Sequence, residues 1–163
     1  MAAKSEQLQI RLTREQKMRL RDVARRAGLD VSAYVLAQAL PATNELFQHT
    51  VALLGHASER RYAWADLSDL LVPLGAGELE RAVSHAGMNG LSAFLQNYLA
   101  ATVEYLCAKR GVRPPAWTMT IPPLPGPWFA TELRSLRVHL LRTSPVAFRR
   151  RNLFIDAAPD ARV

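Results

Sequence analysis

The sequence predicts a mainly α-helical protein with one short N-terminal strand and an extended, proline-rich C-terminal arm. Three observations lead to this prediction. Residues 7–13 alternate polar and apolar side chains, apolar residues recur at helical spacing over much of residues 13–112, and six of the ten prolines lie within residues 113–127. These changes divide the chain into residues 1–41, a small helical bundle at 42–112, and residues 113–163.

The strand at residues 7–13 reads Gln-Leu-Gln-Ile-Arg-Leu-Thr. A strand this short cannot bury an apolar face alone, so we expect it to pair with the same strand of a second chain. Glutamine and arginine are side chains that read adenine and guanine edges in the major groove. The polar face, a candidate base-reading surface, consists of Gln7, Gln9 and Arg11, and the apolar face of Leu8, Ile10 and Leu12.

Two helices are expected to follow the strand. Thr13 is a good N-cap, and Gln16 stands at the capping-box position three residues later. Gly28 can take the positive φ that ends a helix, and Asp30 can cap the next one. Pro41 is expected to end this second helix.

In this order of strand, helix, glycine turn and helix, residues 7–40 resemble the ribbon-helix-helix repressors and antitoxins of the Arc/MetJ type. The resemblance implies a homodimer, or a higher even-numbered oligomer, whose paired strands lie in the major groove of a DNA operator. Gln7, Gln9 and Arg11 would then face the bases. The alternative interpretation is a half-exposed strand with no DNA-binding role.

The same resemblance implies a phosphate clamp at the start of the second helix. The backbone of Val31 and Ser32 would hold the phosphate there, because helix N-termini favour anions. Lys4 is assigned as a further phosphate contact. Asp30 is a departure, since its carboxylate would repel the phosphate unless it turns inward to cap the helix.

Charge is unevenly distributed along a chain of net charge +7. Residues 1–40 carry +4, residues 41–107 carry −4, and residues 108–163 carry +7. This alternation indicates two separate anionic partners or surfaces. No apolar run approaches the roughly 20 residues of a membrane span, and the N-terminus lacks a secretion signal, so a cytoplasmic protein without a membrane partner is expected.

The middle of the chain is expected to form four helices whose apolar faces make a packed core. Thr43 or Asn44 would cap the first helix, and Pro73 would end the second. Cys107, the single cysteine, is expected to be a buried thiol. The four apolar stripes lie at residues 46–54, 64–71, 78–85 and 91–109.

The proline-rich segment, residues 113–127, is expected to be extended and not helical. Aromatic residues on such a segment usually dock into a groove, here either on the same protein or on a partner. Beyond it, Thr131–Leu141 predicts a helix with Leu133, Leu136, Leu140 and Leu141 inside. Ser144 and Pro145 predict the start of another helix, and residues 153–155 are strand-like.

Residues 128–155 are similar to C-terminal segments of bacterial antitoxin-like regulators, some of them encoded beside nucleotidyltransferase-like toxins. The arginine triplet there is either a solvated helix end or a contact to an acidic partner or to DNA phosphates. The candidate partner-binding residues are Trp117, Trp128, Phe129, Phe148, Arg149, Arg150 and Arg151.

No enzyme chemistry is visible in the sequence. The four histidines are scattered without metal-ligand spacing, and Ser144 has no evident base. We therefore assign no catalytic residue, no metal and no cofactor.

The leading hypothesis is a DNA-binding repressor that is the antitoxin of a toxin–antitoxin pair. It would repress its own operon through residues 1–41 and block a protein toxin through residues 113–163. One alternative is a stand-alone regulator whose C-terminal region oligomerises or senses a ligand. Another is an enzyme whose active site forms at a dimer interface.

Overall fold

The computed structural model describes residues 9–39 and 42–156. Over these ranges the protein is mainly α-helical, with nine helices and one two-stranded parallel sheet, as the sequence predicts at this level. The chain divides into two compact units, residues 1–41 and residues 42–163. Residues 113–156 therefore belong to the same unit as the predicted bundle and do not form a separate arm.

Eleven elements are present in the described ranges. The first unit contains α1 (Arg14–Arg26) and α2 (Val31–Ala39). The second unit contains α3 (Thr43–Leu53), α4 (Arg60–Leu71), α5 (Ala76–Ala82), α6 (Ala93–Lys109), α7 (Ala116–Met119), β1 (Trp128–Phe129), α8 (Arg134–Thr143), α9 (Val146–Arg149) and β2 (Leu153–Phe154).

Helix α1 begins and ends with the local signals that the sequence contains. Thr13 Oγ1 accepts a hydrogen bond from Gln16 N at 3.2 Å, and Gln16 Oε1 accepts one from Thr13 N at 2.9 Å, which confirms the capping box. At the other end, Gly28 has φ +69°, and Leu29 N donates to Ala24 O at 3.0 Å. This bond closes the last turn and leads the chain into α2.

Helices α3 to α6 surround the larger hydrophobic core of the second unit. The longest helix, α6, begins at its cap residue Ser92, whose Oγ accepts from Leu95 N at 3.3 Å. Cys107 is buried on α6, as predicted. The largest fully buried side chains of this core are those of Phe47, Leu54, Leu67, Leu71, Leu79, Leu99 and Leu106.

A smaller core lies where α9 and β2 pack against α6. Its buried members are Ala101, Phe148, Leu153 and Ile155. Between α9 and β2 the chain turns at Asn152, which has φ +59° and is a residue type that tolerates the left-handed region. β2 then pairs with β1 in parallel, with Trp128 opposite Leu153 and Phe129 opposite Phe154.

Three predictions about helices are wrong. Residues 113–127 were expected to contain no helix, but they contain the helical turn α7. Pro115 is compatible with this turn because, at the N-cap, it lacks only an N–H that the helix would not use. Ala42, and neither Thr43 nor Asn44, is the N-cap of α3. Ser144 ends α8 and does not begin α9, whose N-cap is Pro145.

The predicted burial of helix 131–141 is also largely wrong. Leu140 is buried, but Leu133, Leu136 and Leu141 are 62%, 44% and 45% exposed. α8 packs against the short strand β2, and this contact covers little of its surface. In the part of the chain that the structure describes, no helix is long and apolar enough to cross a membrane.

Candidate nucleic-acid interface and C-terminal binding surface

The chain just before α1 presents the predicted base-reading face to solvent. Gln9 and Arg11 are exposed, and residues 9–12 form neither helix nor strand in the single chain. Ile10 and Leu12 are 58% and 45% exposed, so their apolar side chains lack cover in the described part of the unit. Two further predicted DNA contacts, Lys4 and Gln7, lie outside the described residues.

The start of α2 keeps two backbone amides available. Asp30 caps this helix as predicted, because its Oδ1 accepts a hydrogen bond from Ala33 N at 2.8 Å. The N–H groups of Val31 and Ser32 donate to no other group in the described chain. They therefore point from the positive end of α2 and are able to bind an anion.

Positive charge surrounds this N-terminal surface. Residues 9–39 carry seven lysines and arginines against three acidic residues. Arg25 is paired with Asp22 at 2.8 Å, but both side chains are well exposed, so the pair contributes little to stability. The exposed cations before and on α1 are Arg11, Arg14, Lys17, Arg19, Arg21, Arg25 and Arg26.

The aromatic residues of the proline-rich region dock on their own unit. Trp117 Nε1 donates to Val83 O at 2.8 Å, and its ring packs against the larger core. Trp128 is 39% exposed, and its ring centroid lies 4.7 Å from that of Phe94. Of the two possibilities that the sequence left open, Trp117 takes the internal one.

Phe129 makes two ring contacts within the C-terminal region. It stacks on Phe154 with centroids 4.9 Å apart, and the guanidinium of Arg137 lies 5.1 Å from its centroid. Both contacts fix β1 against its neighbours. Phe129 is half-buried, so part of its ring remains accessible.

Two residues predicted to bind a partner are buried, which corrects their assignment. Phe148 is 0% exposed in the smaller core. Arg151 is 5% exposed, and its Nη2 lies 2.6 Å from Glu104 Oε1. Neither side chain is free to anchor a partner, because Phe148 packs in the core and Arg151 is buried against Glu104.

The other two arginines of the triplet remain accessible. Arg149 is exposed, and its Nη1 approaches Leu141 O at 3.5 Å. Arg150 is exposed, and its guanidinium has neither a hydrogen bond nor an ion pair within the described residues. Its charge is therefore available to a group outside the described chain.

A groove of about 520 Å³ lies between α6, the proline-rich segment and α9. Arg150 lines this groove together with the highly exposed Met119 and Val146. The ion pair of Glu104 and Arg151 lies at its lining as well. The groove thus combines apolar walls, a neutralised ion pair and one unpaired cation.

A second, smaller cavity of about 280 Å³ is lined mainly by aromatic rings. Trp64 and Tyr98 meet edge to face with centroids 4.9 Å apart, and Phe94 lies 5.9 Å from Tyr98. Burial raises the pKa of the Tyr98 hydroxyl above its ordinary value. Ser68 and Thr102 complete the lining.

The ionisable residues singled out in the sequence lie apart from one another in the described ranges. No group of three His, Cys, Asp or Glu side chains is placed to hold a metal ion there. His139 Nε2 lies 3.2 Å from Asp156 Oδ1, and both side chains are largely exposed. Ser144 Oγ lies 2.6 and 2.8 Å from the carbonyl oxygens of Leu140 and Ile155, so it connects backbone segments.

The candidate partner-binding residues predicted from the sequence did not include Met119, Val146 or Glu104. Glu104 is the one acidic residue of α6, and a lone acid in an apolar helix signals a buried cationic partner. Nothing local identifies that partner as Arg151. The exposure of Met119 and Val146 has no sequence signal, because both residue types are commonly buried.

Comparison of the chain with protein-family models, with curated proteins and with solved structures finds no significant match. The resemblance of residues 7–40 to ribbon-helix-helix proteins therefore remains a hypothesis drawn from their motif.

Proposed function

We propose that this protein is a DNA-binding transcriptional repressor and the antitoxin of a toxin–antitoxin pair, acting in the cytoplasm. Its first unit would dimerise, bind the operator of its own operon and read bases with Gln7, Gln9 and Arg11. Its second unit would bind and block a protein toxin.

The observation that carries the DNA-binding half is the first unit, whose apolar chain start and cationic helix both face solvent. Ile10 and Leu12 are exposed, and Ala24 is the one buried residue among the described side chains of the unit. So small a core needs a second copy, and pairing residues 7–13 between copies would cover the apolar face. The same pairing would place Gln9 and Arg11 together on the opposite face, among the exposed cations of α1.

The antitoxin half is supported by the size and surface of the second unit. A ribbon-helix-helix head needs only the first forty residues, whereas this unit has its own cores and extends over more than a hundred residues. Its exposed arginines, including Arg149 and Arg150, suit an acidic protein surface.

The DNA-binding half is tested by fluorescence anisotropy on two duplexes. One duplex carries the sequence upstream of the protein's own gene, and the other is a scramble of equal length and composition. Tighter binding to the natural sequence at matched salt supports the proposal. Equal affinity for both duplexes, at every salt concentration, contradicts base readout.

The antitoxin half is tested by co-expression with the product of the adjacent reading frame. The proposal expects that product to be toxic alone, harmless with this chain, and to elute with it as one complex. A harmless neighbour, or one that does not bind, contradicts the antitoxin half and leaves the DNA-binding half standing.

A second candidate function is favoured by the aromatic cavity. A stand-alone regulator would use the space lined by Trp64, Phe94 and Tyr98 to sense a small apolar ligand. Such a ligand would change operator affinity without any protein partner, and enlarging the side chain of Ser68 would abolish that response.

A further inference from the structure

We propose that the groove between α6, α7 and α9 binds a protein segment that presents an apolar side chain next to a carboxylate. Under the proposed function, that segment belongs to the toxin. The inference rests on the proposed function for this point alone. The groove itself is defined by residues of this chain and is testable without the toxin.

Apolar side chains that the fold leaves exposed indicate that the bound segment carries an apolar residue. Met119 is 78% exposed at the end of α7, and Val146 is 53% exposed at the start of α9. Ala108, Pro123 and Ala147 line the space between them. Covering these surfaces would remove apolar area from water.

The backbone around the groove is anchored from inside. Arg151 donates to Thr118 O at 2.6 Å and to Ile121 O at 3.4 Å, so α7 and the segment after it are bonded to the turn after α9. Asn97 Nδ2 donates to Pro122 O at 3.0 Å. Both sides of the groove are therefore tied to α6, and the groove does not depend on a partner to form.

Charge complementarity indicates that the bound segment carries a carboxylate. Glu104 and Arg151 neutralise each other, which leaves Arg150 as the unpaired charge of the lining within the described chain. Residues 108–156 carry nine lysines and arginines against two acidic residues, so the surrounding potential is positive. An acidic group beside the apolar anchor would gain a charge-assisted hydrogen bond from Arg150.

A protein segment fits this lining better than a nucleic acid does. Nucleic-acid backbones bind through rows of cations that contact successive phosphates. Among the described residues that line this groove, Arg150 is the one unpaired cation, and it lies beside the apolar Met119 and Val146. Apolar anchors flanked by one charge are typical of protein interfaces.

The test uses the full-length protein and a phage-displayed library of random linear peptides. We expect selected peptides to share an apolar residue next to Asp or Glu. Their affinity for Arg150→Glu and for Met119→Glu should fall about tenfold or more, equivalent to the loss of one good anchor contact. Arg142→Glu, an equal charge reversal on exposed α8, should retain the wild-type affinity.

Each outcome of the selection decides the question. Both groove residues are exposed, so the variants are expected to keep the wild-type circular-dichroism spectrum and unfolding midpoint. Peptides that bind all four proteins alike, or a selection that yields no acidic–apolar motif, overturn the proposal. Loss of DNA affinity in Arg150→Glu without loss of peptide binding assigns the groove to nucleic acid and likewise overturns it.

The same variants separate this inference from the antitoxin proposal. If the adjacent gene product binds the wild type and all variants equally, the groove proposal is wrong while the antitoxin function stands. If that product does not bind the wild type, but groove-dependent peptides are selected, the antitoxin function is wrong while the groove stands.

Discussion

Arg151 and Glu104 form a buried ion pair that joins the turn after α9 to the middle of α6. Arg151 Nη2 lies 2.6 Å from Glu104 Oε1, and the two side chains are 6% and 14% exposed. Arg151 Nη1 also donates to Asn97 Oδ1 at 3.2 Å. The pair lies 47 residues apart in sequence, so it connects the C-terminal region to the helical core.

Glu104→Gln should destabilise the second unit by roughly 3–5 kcal/mol, because it leaves the guanidinium of Arg151 buried without its counter-charge. Urea unfolding of the full chain measures the change. The double variant Glu104→Leu/Arg151→Met should lose less stability than the summed losses of the single variants Glu104→Leu and Arg151→Met, since it removes both charges. Strict additivity would show that the two side chains are not coupled.

Truncation after Val112 should unfold much of the second unit. It removes Phe148, Leu153 and Ile155 from the smaller core and leaves Glu104 without Arg151. We expect lower helicity by circular dichroism and rapid proteolysis of residues 42–112. A truncated chain that stays folded would show that residues 113–156 are dispensable for the core.

The stability of the second unit should fall as pH rises from 9 towards 11, in part through Cys107. Burial, the main cause, raises the pKa of the Cys107 thiol from 9.0 to about 11, with an opposing contribution from Arg110. Below pH 9 the thiol is protonated in both states and its contribution is constant. Above pH 9 the unfolded chain loses this proton first, so unfolding is favoured.

The contribution of Cys107 is isolated by comparison with Cys107→Ala. The difference in unfolding free energy between wild type and this variant should be constant below pH 9 and shrink between pH 9 and about 11. A difference that does not change with pH would show that the folded thiol titrates like an exposed one.

Arg11→Ala should weaken binding to the natural operator by about 1–3 kcal/mol while affecting scrambled DNA less. The reason is that a base contact is lost only where the correct base is present. Arg142→Ala, on an exposed helix of the other unit, serves as the matched arginine control. Equal losses on both duplexes would reassign Arg11 to the phosphate backbone.

Ile10→Lys should yield a monomer that no longer binds operator DNA, because a charge would interrupt the apolar face through which two copies pair. Sedimentation velocity measures the mass. Gln9→Lys introduces the same side chain one residue away on the opposite face and should remain dimeric. If Ile10→Lys also stays dimeric and binds normally, residues 7–13 are not the dimer ribbon.

How far the candidate sites follow from sequence depends on the range of the contacts. The cap of α2 by Asp30 is visible in the sequence because donor and acceptor are three residues apart. Arg150 and Arg151 are adjacent and chemically identical, yet Arg150 is exposed and unpaired within the described residues, whereas Arg151 is buried. Their difference depends on Glu104, which no local pattern brings beside Arg151.

The sequence by itself determined the elements whose signals are local. These are the capping box of Thr13 and Gln16, the turn at Gly28, and the long apolar helix that ends before Gly111. Each depends on backbone preference and hydrogen bonds within a few residues.

Tertiary structure alone decided what happens to residues 113–156. Their prolines predict an extended arm, and the sequence leaves open whether that arm docks on this protein or on a partner. Burial of Phe148 and neutralisation of Arg151 by Glu104 draw the segment onto α6. The same docking leaves Met119 and Val146 exposed around a groove that no sequence period describes. Burial and charge pairing join residues that are distant in sequence, so no local pattern predicts them. Here these contacts outweigh the local propensity of the segment.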